Sequence, residues 1–404
     1  MRSETLQQLI SDDPIAITGM GVQCAAGNDV PTLWKSVLAG ATPVRDLPLP
    51  GDGCFPAYLA ADLDPGRDLR LRAGRRTDRS VQMALAAAVE AVDQAGDLEG
   101  ARLSVIAGTS RGPQQHWDFS RGEMEAGRRL RPTAAANGTV ACLSGLLSQQ
   151  LGATAPGFTV SATCSSGASA ISLAAQQLLL GEADVALAGG SDAPVHPLVL
   201  AGMQSAGMLG SACRPFDLRR DGLVVGEGAG FVVLERLAHA RERGAEVLAV
   251  LEGWATGLDI HGRTGIREDG AGLVDVLGKS LATAGLDPGD ISYVNAHGTA
   301  TELNDRVEAA VLRETFGMQV PVSSTKAVTG HCLGATPAIE AIIAVMALRE
   351  GLLPVTAGLD EIAPECGGID LITGTPRQCP AGHVVSESIG FWGYHACLIF
   401  GQPA

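Results

Sequence analysis

Cys164 is the residue of this chain best placed to act as a nucleophile. It sits in "FTVSATCSSGASAISLAAQQLLLGEADVALAGG" (158–190), where a β-branched run meets a Thr-Cys-Ser-Ser-Gly cluster and an apolar segment of helical period follows as far as Gly181. The cysteine therefore falls at a strand-to-helix elbow, where unpaired backbone N–H groups and the helix dipole favour thiolate over thiol. A thiolate at such a turn can attack an acyl carbon. The competing reading is a thiol that only packs, because free cysteine is among the most buried residue types.

Two histidines stand at similar turns further along, His297 in "VNAHGTAT" and His331 in "STKAVTGHCLGA", with Lys326 five residues before the second. A single histidine on a turn is more often a satisfied structural residue than a catalyst. A cysteine, two histidines and a lysine together fit acyl transfer through a thioester, which spacing alone does not establish. Other signals are weaker. "GEGAG" (226–230) lies between strand-like runs with no helix opening after it, and "GKS" (278–280) lacks the preceding glycine of a phosphate loop. Glu340, on the apolar run "AIEAIIAVMAL" (338–348), reads as a buried, hydrogen-bonded acid.

The elements that must hold these residues alternate. Strand-like runs at 14–21, 102–108, 247–257, 291–298 and 320–325 are interleaved with helical patterns near 80–96, 135–151, 270–285, 303–316 and 334–350, and two strands close the chain. Such alternation predicts an α/β architecture with helices covering the sheets. An internal repeat relates 159–189 to 321–358: V-S-x-T, a turn, A-I, an apolar helix, glycine, an apolar run, A-G. In that comparison Cys164 lies opposite Lys326. Self-similarity at this scale points to two halves of common topology, placed at 1–250 and 251–404, the first carrying insertions. The Pro/Gly-rich stretch 47–69 reads as a surface excursion.

Composition limits the function classes. A chain of 404 residues with 46% hydrophobic and 18% charged residues buries a large core and is not disordered. Its net charge of −15 argues against nonspecific nucleic-acid binding, so an acidic partner needs a local basic patch. Nine cysteines without a C-x-x-C pair suggest a reduced, cytoplasmic protein without a zinc site. The N-terminal residues lack the order of a signal peptide, and 338–348 is too short to span a bilayer, so neither export nor membrane insertion is expected.

Four motifs in order, "TCSSGASA", "NAHGTATELND" (295–305), "KAVTGHCLGA" (326–335) and "IGFWGYHACLIF" (389–400), resemble the β-ketoacyl synthases, the condensing enzymes of fatty-acid and polyketide synthesis. The resemblance runs from about Ile15 to Phe400. It implies the thiolase-like fold, a five-layer αβαβα arrangement of two duplicated halves, usually a homodimer. It implies that Cys164 takes an acyl chain from the phosphopantetheine arm of an acyl carrier protein. His297 and His331 would hydrogen-bond the malonyl thioester carbonyl, and the backbone N–H groups of Cys164 and Phe391 would form the oxyanion hole, with Phe391 as gate. Lys326 would support the histidines, Glu340 and Asp305 would order the region, and Thr299 and Thr301 would hold the pantetheine arm. No metal or organic cofactor is implied.

The resemblance also points to Arg72, Arg75 and Arg76 as the patch that meets the acidic carrier. Where the family commonly reads G-F-G-G-T-N, this chain has "GFWGYH" (390–395). Tyr394 and the Asn304-Asp305 pair look more like type II polyketide ketosynthases, and Trp392, in place of glycine, is expected to narrow acyl-chain choice. Two alternatives stand beside condensation: transfer of the Cys164-bound acyl group to a non-malonyl acceptor, and a noncatalytic chain-length-factor-like partner in a heterodimer.

Overall fold

Period-two alternation within the strands sorts their side chains into separate cores. In Gly228–Arg236, Ala229, Phe231 and Val233 enter one apolar cluster while Val232 and Leu234 enter another; in Tyr394–Gly401, Ala396, Leu398 and Phe400 share that second cluster while Cys397 and Ile399 enter a third. Strands buried on both faces need a helical layer on each side. The computed structural model describes residues 3–49, 53–63, 69–260, 265–379 and 382–403.

Ten of the eleven strands of the main sheet form two halves of common order, and the eleventh, Asp370–Leu371, pairs beside Pro321–Ser323 at the edge of the second. The first half contains β1 (Ile15–Cys24), β2 (Leu103–Gly108), β3 (Phe158–Val160), β4 (Val185–Asp192) and β5 (Gly228–Arg236), in the order 1-5-4-2-3. The second contains β6 (Ala249–Leu258), β7 (Ile291–Asn295), β8 (Pro321–Ser323), β9 (His383–Ile389) and β10 (Tyr394–Gly401), in the order 6-10-9-7-8. Pairing senses repeat as well: β1–β5 and β5–β4 are antiparallel like β6–β10 and β10–β9, while β4–β2 and β2–β3 are parallel like β9–β7 and β7–β8. The two halves of the sheet are joined by three residue pairs of β1 and β6, from Ile15↔Leu251 to Ile17↔Ala249.

Helix α1 (Arg79–Ala95) covers the outer face of the first sheet, and α3 (Ala271–Ala284) and α4 (Glu302–Phe316) cover that of the second. Between the sheets lie α2 (Ser166–Leu179) and α5 (Thr336–Glu350). Twelve of the fifteen α5 residues are buried, as a helix enclosed on all sides requires. The result is the thiolase-like αβαβα stack, with cores in the layers between. No helix among the described residues is long and apolar enough to cross a membrane.

The repeat is confirmed in topology and corrected in register. Cys164 lies in the one-turn 3₁₀ segment Thr163–Ser165 between β3 and α2; the corresponding segment before α5 is Leu333–Ala335. Both are entered through a left-handed residue, Thr163 at φ 51° and Leu333 at φ 46°. The counterpart of Cys164 is thus Gly334, not Lys326. The second half inserts a short helix, Lys326–Thr329, and His331 between strand and elbow, so the V-S-x-T match aligns strand ends and leaves the elbows out of step. In the stretch 47–69, a hairpin pairs Val44–Leu49 with Gly53–Tyr58; residues 50–52 and 64–68 lie outside the described residues.

Candidate functional site

Cys164 projects from its elbow into a cavity of about 350 Å³ and is 4% exposed. The loop 390–393 closes over it. The Phe391 N–H faces the Cys164 sulfur and favours its negative charge, and the Thr163 hydroxyl donates to the Phe391 carbonyl at 3.2 Å. Gly390 makes this approach possible: a Cβ there would meet Thr163 Oγ1 at 2.3 Å and Cys164 N at 3.2 Å. Burial pushes the thiol up to about 12; the charges of Arg111 and Lys326 and the Phe391 N–H oppose that rise, while Asp192 adds to it. The expected thiolate bias of the helix start is outweighed by desolvation. Cys164 rests as a thiol and must give up its proton as it attacks.

His297 and His331 reach the same cavity from the second half, their ring centroids 5.4 Å apart and their planes at 84°. His297 follows β7 and His331 follows the short helix 326–329. Burial, then the positive charge of Lys326, holds both well below the ordinary histidine value of 6.5; for His297 the neighbouring His331 and His395 add to this. Both rings are therefore neutral at pH 7, each with one N–H to donate and one nitrogen to accept. His331 Nδ1 lies 3.2 Å from the Thr336 hydroxyl, while His297 Nδ1 has no partner among the described residues.

Lys326 lies behind the histidines rather than in the cavity. It is fully buried, with Nζ 2.6 Å from Glu340 Oε1, and Glu340 is itself fully buried. Burial raises Glu340 to about 7 against the pull of Lys326. Two further buried acids flank the pair. Glu308 accepts from the Gly298 N–H at 2.8 Å and from Asn304 Nδ2 at 2.9 Å. Glu387 is raised well above 4.5 by burial and by the adjacent Glu308. Lys326 is thus the cation that a buried acid cluster holds in place, and its field acts on the histidines.

Asp305 works on the backbone. Its carboxyl accepts from Phe216 N at 2.7 Å, Thr299 N at 3.0 Å and Ala300 N at 3.2 Å, and so fixes a turn that includes the left-handed Ala300 at φ 66°. Burial, with Glu308 nearby, raises it to about 7. The turn presents Thr299 and Thr301 to the cavity with their hydroxyls 2.9 Å apart.

The other expected residues lie elsewhere. Trp392 does not line the cavity; it is 55% exposed and left-handed at φ 62°, a conformation that costs a non-glycine residue about 1–2 kcal/mol. Arg72 and Arg76 are exposed on the 3₁₀ segment Leu69–Arg76, and the Arg75 side chain lies outside the described residues. Arg76 lines a surface groove with Arg129 and Arg131, which sequence reasoning did not connect with it. Asp192 was also missed. Fully buried at the end of β4, it accepts from Ser110 N, Arg111 N, Gly334 N and the Thr109 hydroxyl at 2.7–2.9 Å. Its one legible signal is a carboxylate ending the apolar strand "VALAGGSD". It ties the loop after β2 to the elbow before α5.

Comparison with known proteins agrees with this geometry. Residues 12–240 match the model of the beta-ketoacyl synthase N-terminal domain, and residues 248–360 match that of the C-terminal domain. A Streptomyces cyaneus protein provisionally named polyketide beta-ketoacyl synthase 1 is 35% identical, over 96% of this chain and 98% of its own. The 3-oxoacyl-[acyl-carrier-protein] synthase 2 of Staphylococcus aureus (strain N315) is 32% identical, over 96% and 97%. Among solved structures, the ishigamide ketosynthase/chain length factor superposes with TM-score 0.89 at 30% identity, over 97% of this chain and 100% of that one.

Proposed function

The chain belongs to the β-ketoacyl synthase family and is a condensing enzyme of fatty-acid or type II polyketide synthesis, and we propose that Cys164, His297 and His331 carry its reaction. Such an enzyme joins a cysteine-bound acyl chain to malonyl carrier protein and yields the 3-oxoacyl product. The observation that carries the assignment of residues is their convergence: a thiol from the first half and two neutral imidazoles from the second line one cavity.

In the first step the Cys164 sulfur attacks the acyl thioester carbon, the carbon–sulfur bond to the carrier breaks, and the proton given up by Cys164 ends on the pantetheine sulfur, which leaves as the thiol. The Phe391 N–H already points at the sulfur and, with the Cys164 N–H, receives the oxyanion. Malonyl thioester then enters past Thr299 and Thr301. Its carbonyl oxygen accepts from His297 and His331, CO₂ departs, and the electron pair left behind forms an enolate stabilised by the two N–H donors. The enolate carbon attacks the acyl-cysteine and the sulfur leaves. Burial and the charge of Lys326 keep both rings neutral, and the ion pair with Glu340 holds Lys326 in place. Neither a metal nor an organic cofactor has a role in this scheme.

Tyr394, the Asn304-Asp305 pair and the Streptomyces relative favour a polyketide pathway over housekeeping lipid synthesis. One solved neighbour is described as a type II polyketide acyl carrier protein in complex with its ketosynthase bound to the hexaketide, at 25% identity and TM-score 0.87, over 97% of this chain and 100% of that one. We take the carrier here to dock on Arg72, Arg75 and Arg76, extended by Arg129 and Arg131. We assign residues 1–250 and 251–404 to the two halves on the repeated pairing. β3 is the free edge of the first sheet, with Phe158 46% exposed, and suits pairing with a second copy in a homodimer. Nine cysteines with no disulfide among them suit the cytoplasm.

The test is intact-protein mass spectrometry after incubation with acyl carrier thioesters, then a chase with malonyl carrier. An adduct absent in Cys164→Ala and lost on the chase with formation of 3-oxoacyl carrier is expected. An adduct that persists through the chase would favour transfer to another acceptor.

A further inference from the structure

Beyond Phe391 lies a second cavity of about 530 Å³ that shares Phe391 and Met208 with the one holding Cys164. One part of its wall is apolar, from Leu198, Val199 and Met203; another carries Ser110, Gln114 and Arg111. Among the described residues the Arg111 guanidinium has no carboxylate partner, whereas nearby Arg121 is paired with Glu125 and Arg79 with Glu227.

The backbone of Arg111 is firmly rooted, while its side chain is exposed. Its N–H donates to Asp192 at 2.9 Å, the preceding Ser110 N–H donates to the same carboxyl at 2.7 Å, and Gly112 N donates to the Thr109 hydroxyl at 3.0 Å. Asp192 is fully buried and is spent on these backbone contacts, so it anchors the loop. Among the neighbouring charges, that of Arg111 opposes the burial of the Cys164 thiol most strongly, so guanidinium and sulfur share one electrostatic environment.

An acyl chain held on Cys164 and passing Phe391 would lay its methylenes along the apolar wall and bring its far end to Arg111. A methyl end there would strip water from a cation and return nothing. A carboxylate would accept two parallel N–H bonds from the planar guanidinium, with Ser110 and Gln114 at hand as further donors. We propose that the acyl group this enzyme loads onto Cys164 ends in a carboxylate, which Arg111 binds. The inference rests on the reading of Cys164 as the acylated residue.

The test compares N-acetylcysteamine thioesters of hexanoate and of adipate, the second equal in length but ending in a free carboxylate, by the rate at which each adds to Cys164 in the intact protein. Small thioesters keep carrier docking out of the result. The wild type is expected to favour adipoyl by about tenfold or more. Arg111→Leu should abolish that preference, slowing adipoyl far more than hexanoyl, since both lose the charge that lowers the thiol and only adipoyl loses a partner, and Arg111→Lys should restore part of it. Equal rates in the wild type, faster hexanoyl, or a preference unchanged in Arg111→Leu would overturn the inference while leaving Cys164 as the acyl site. Adduct formation by neither thioester would overturn the reading of Cys164 and the inference with it.

Discussion

Thr163-Cys164-Ser165 and Leu333-Gly334-Ala335 are the same turn in the two halves, each entered through a left-handed residue and each opening a central helix. They are filled in opposite ways. At the first elbow a side chain faces the cavity. At the second, a Cβ on Gly334 would meet Asp192 Oδ2 and Ser110 N, both at 2.6 Å, so that elbow has room only for backbone. The second half supplies its chemistry just upstream, in the inserted segment that carries Lys326 and His331. Duplication provided two equivalent elbows, of which only that of Cys164 lines the cavity; the difference between them separates a nucleophile from its hydrogen-bond donors.

The comparison can be broken at its crowded side. Gly334→Ala should destabilise the fold by about 3 kcal/mol, through overpacking and loss of an Asp192 hydrogen bond. Denaturant unfolding measures this, and a change within error would show the second elbow to be no more constrained than the first.

Lys326→Met sharpens the electrostatic half of the comparison. The histidine values are held down by burial and by Lys326, so removing that charge raises them, and the rings become cationic at a higher pH than before. Glu340, already near 7, takes up a proton in place of its lost partner. The acid limb of malonyl decarboxylation should move to higher pH, with a loss of about tenfold or less at pH 6. A limb that stays in place would remove Lys326 from the account.

The smallest effect is expected at the loop over the first elbow. Trp392 holds a left-handed conformation beside the Phe391 N–H without entering either cavity. Trp392→Gly should relax the gate and broaden the distribution of acyl chains accepted on Cys164, by no more than a few-fold at any length. An unchanged chain-length profile would show that the indole plays no part in selection.

What the sequence disclosed was local. A β-branched run, small residues and a helix-period segment mark the Cys164 elbow without reference to the rest of the chain, and the four motifs carry the family and its fold. What stayed hidden depended on packing. The true partner of Cys164 was obscured by the insertion at 326–332, because a linear match follows strand ends. The direction of the Cys164 shift is set by burial in the folded protein, which outweighs the opposing Phe391 N–H and which no local stretch of sequence discloses. Asp192 looked like the end of a strand because its donors come from two segments distant in sequence, the loop 109–111 and the elbow at Gly334. Arg111 carried no motif, and its meaning appears only when, among the described residues, no carboxylate pairs with its guanidinium.

The central claim, that the two halves perform separable steps, is tested most directly by measuring CO₂ release from malonyl carrier by Cys164→Ala beside acylation of Cys164 in the His297→Ala/His331→Ala double variant. The account predicts that the first variant still decarboxylates and that the second still takes an acyl group, while neither condenses. Loss of both partial reactions in both folded variants would contradict it and make the two halves a single, inseparable catalytic unit.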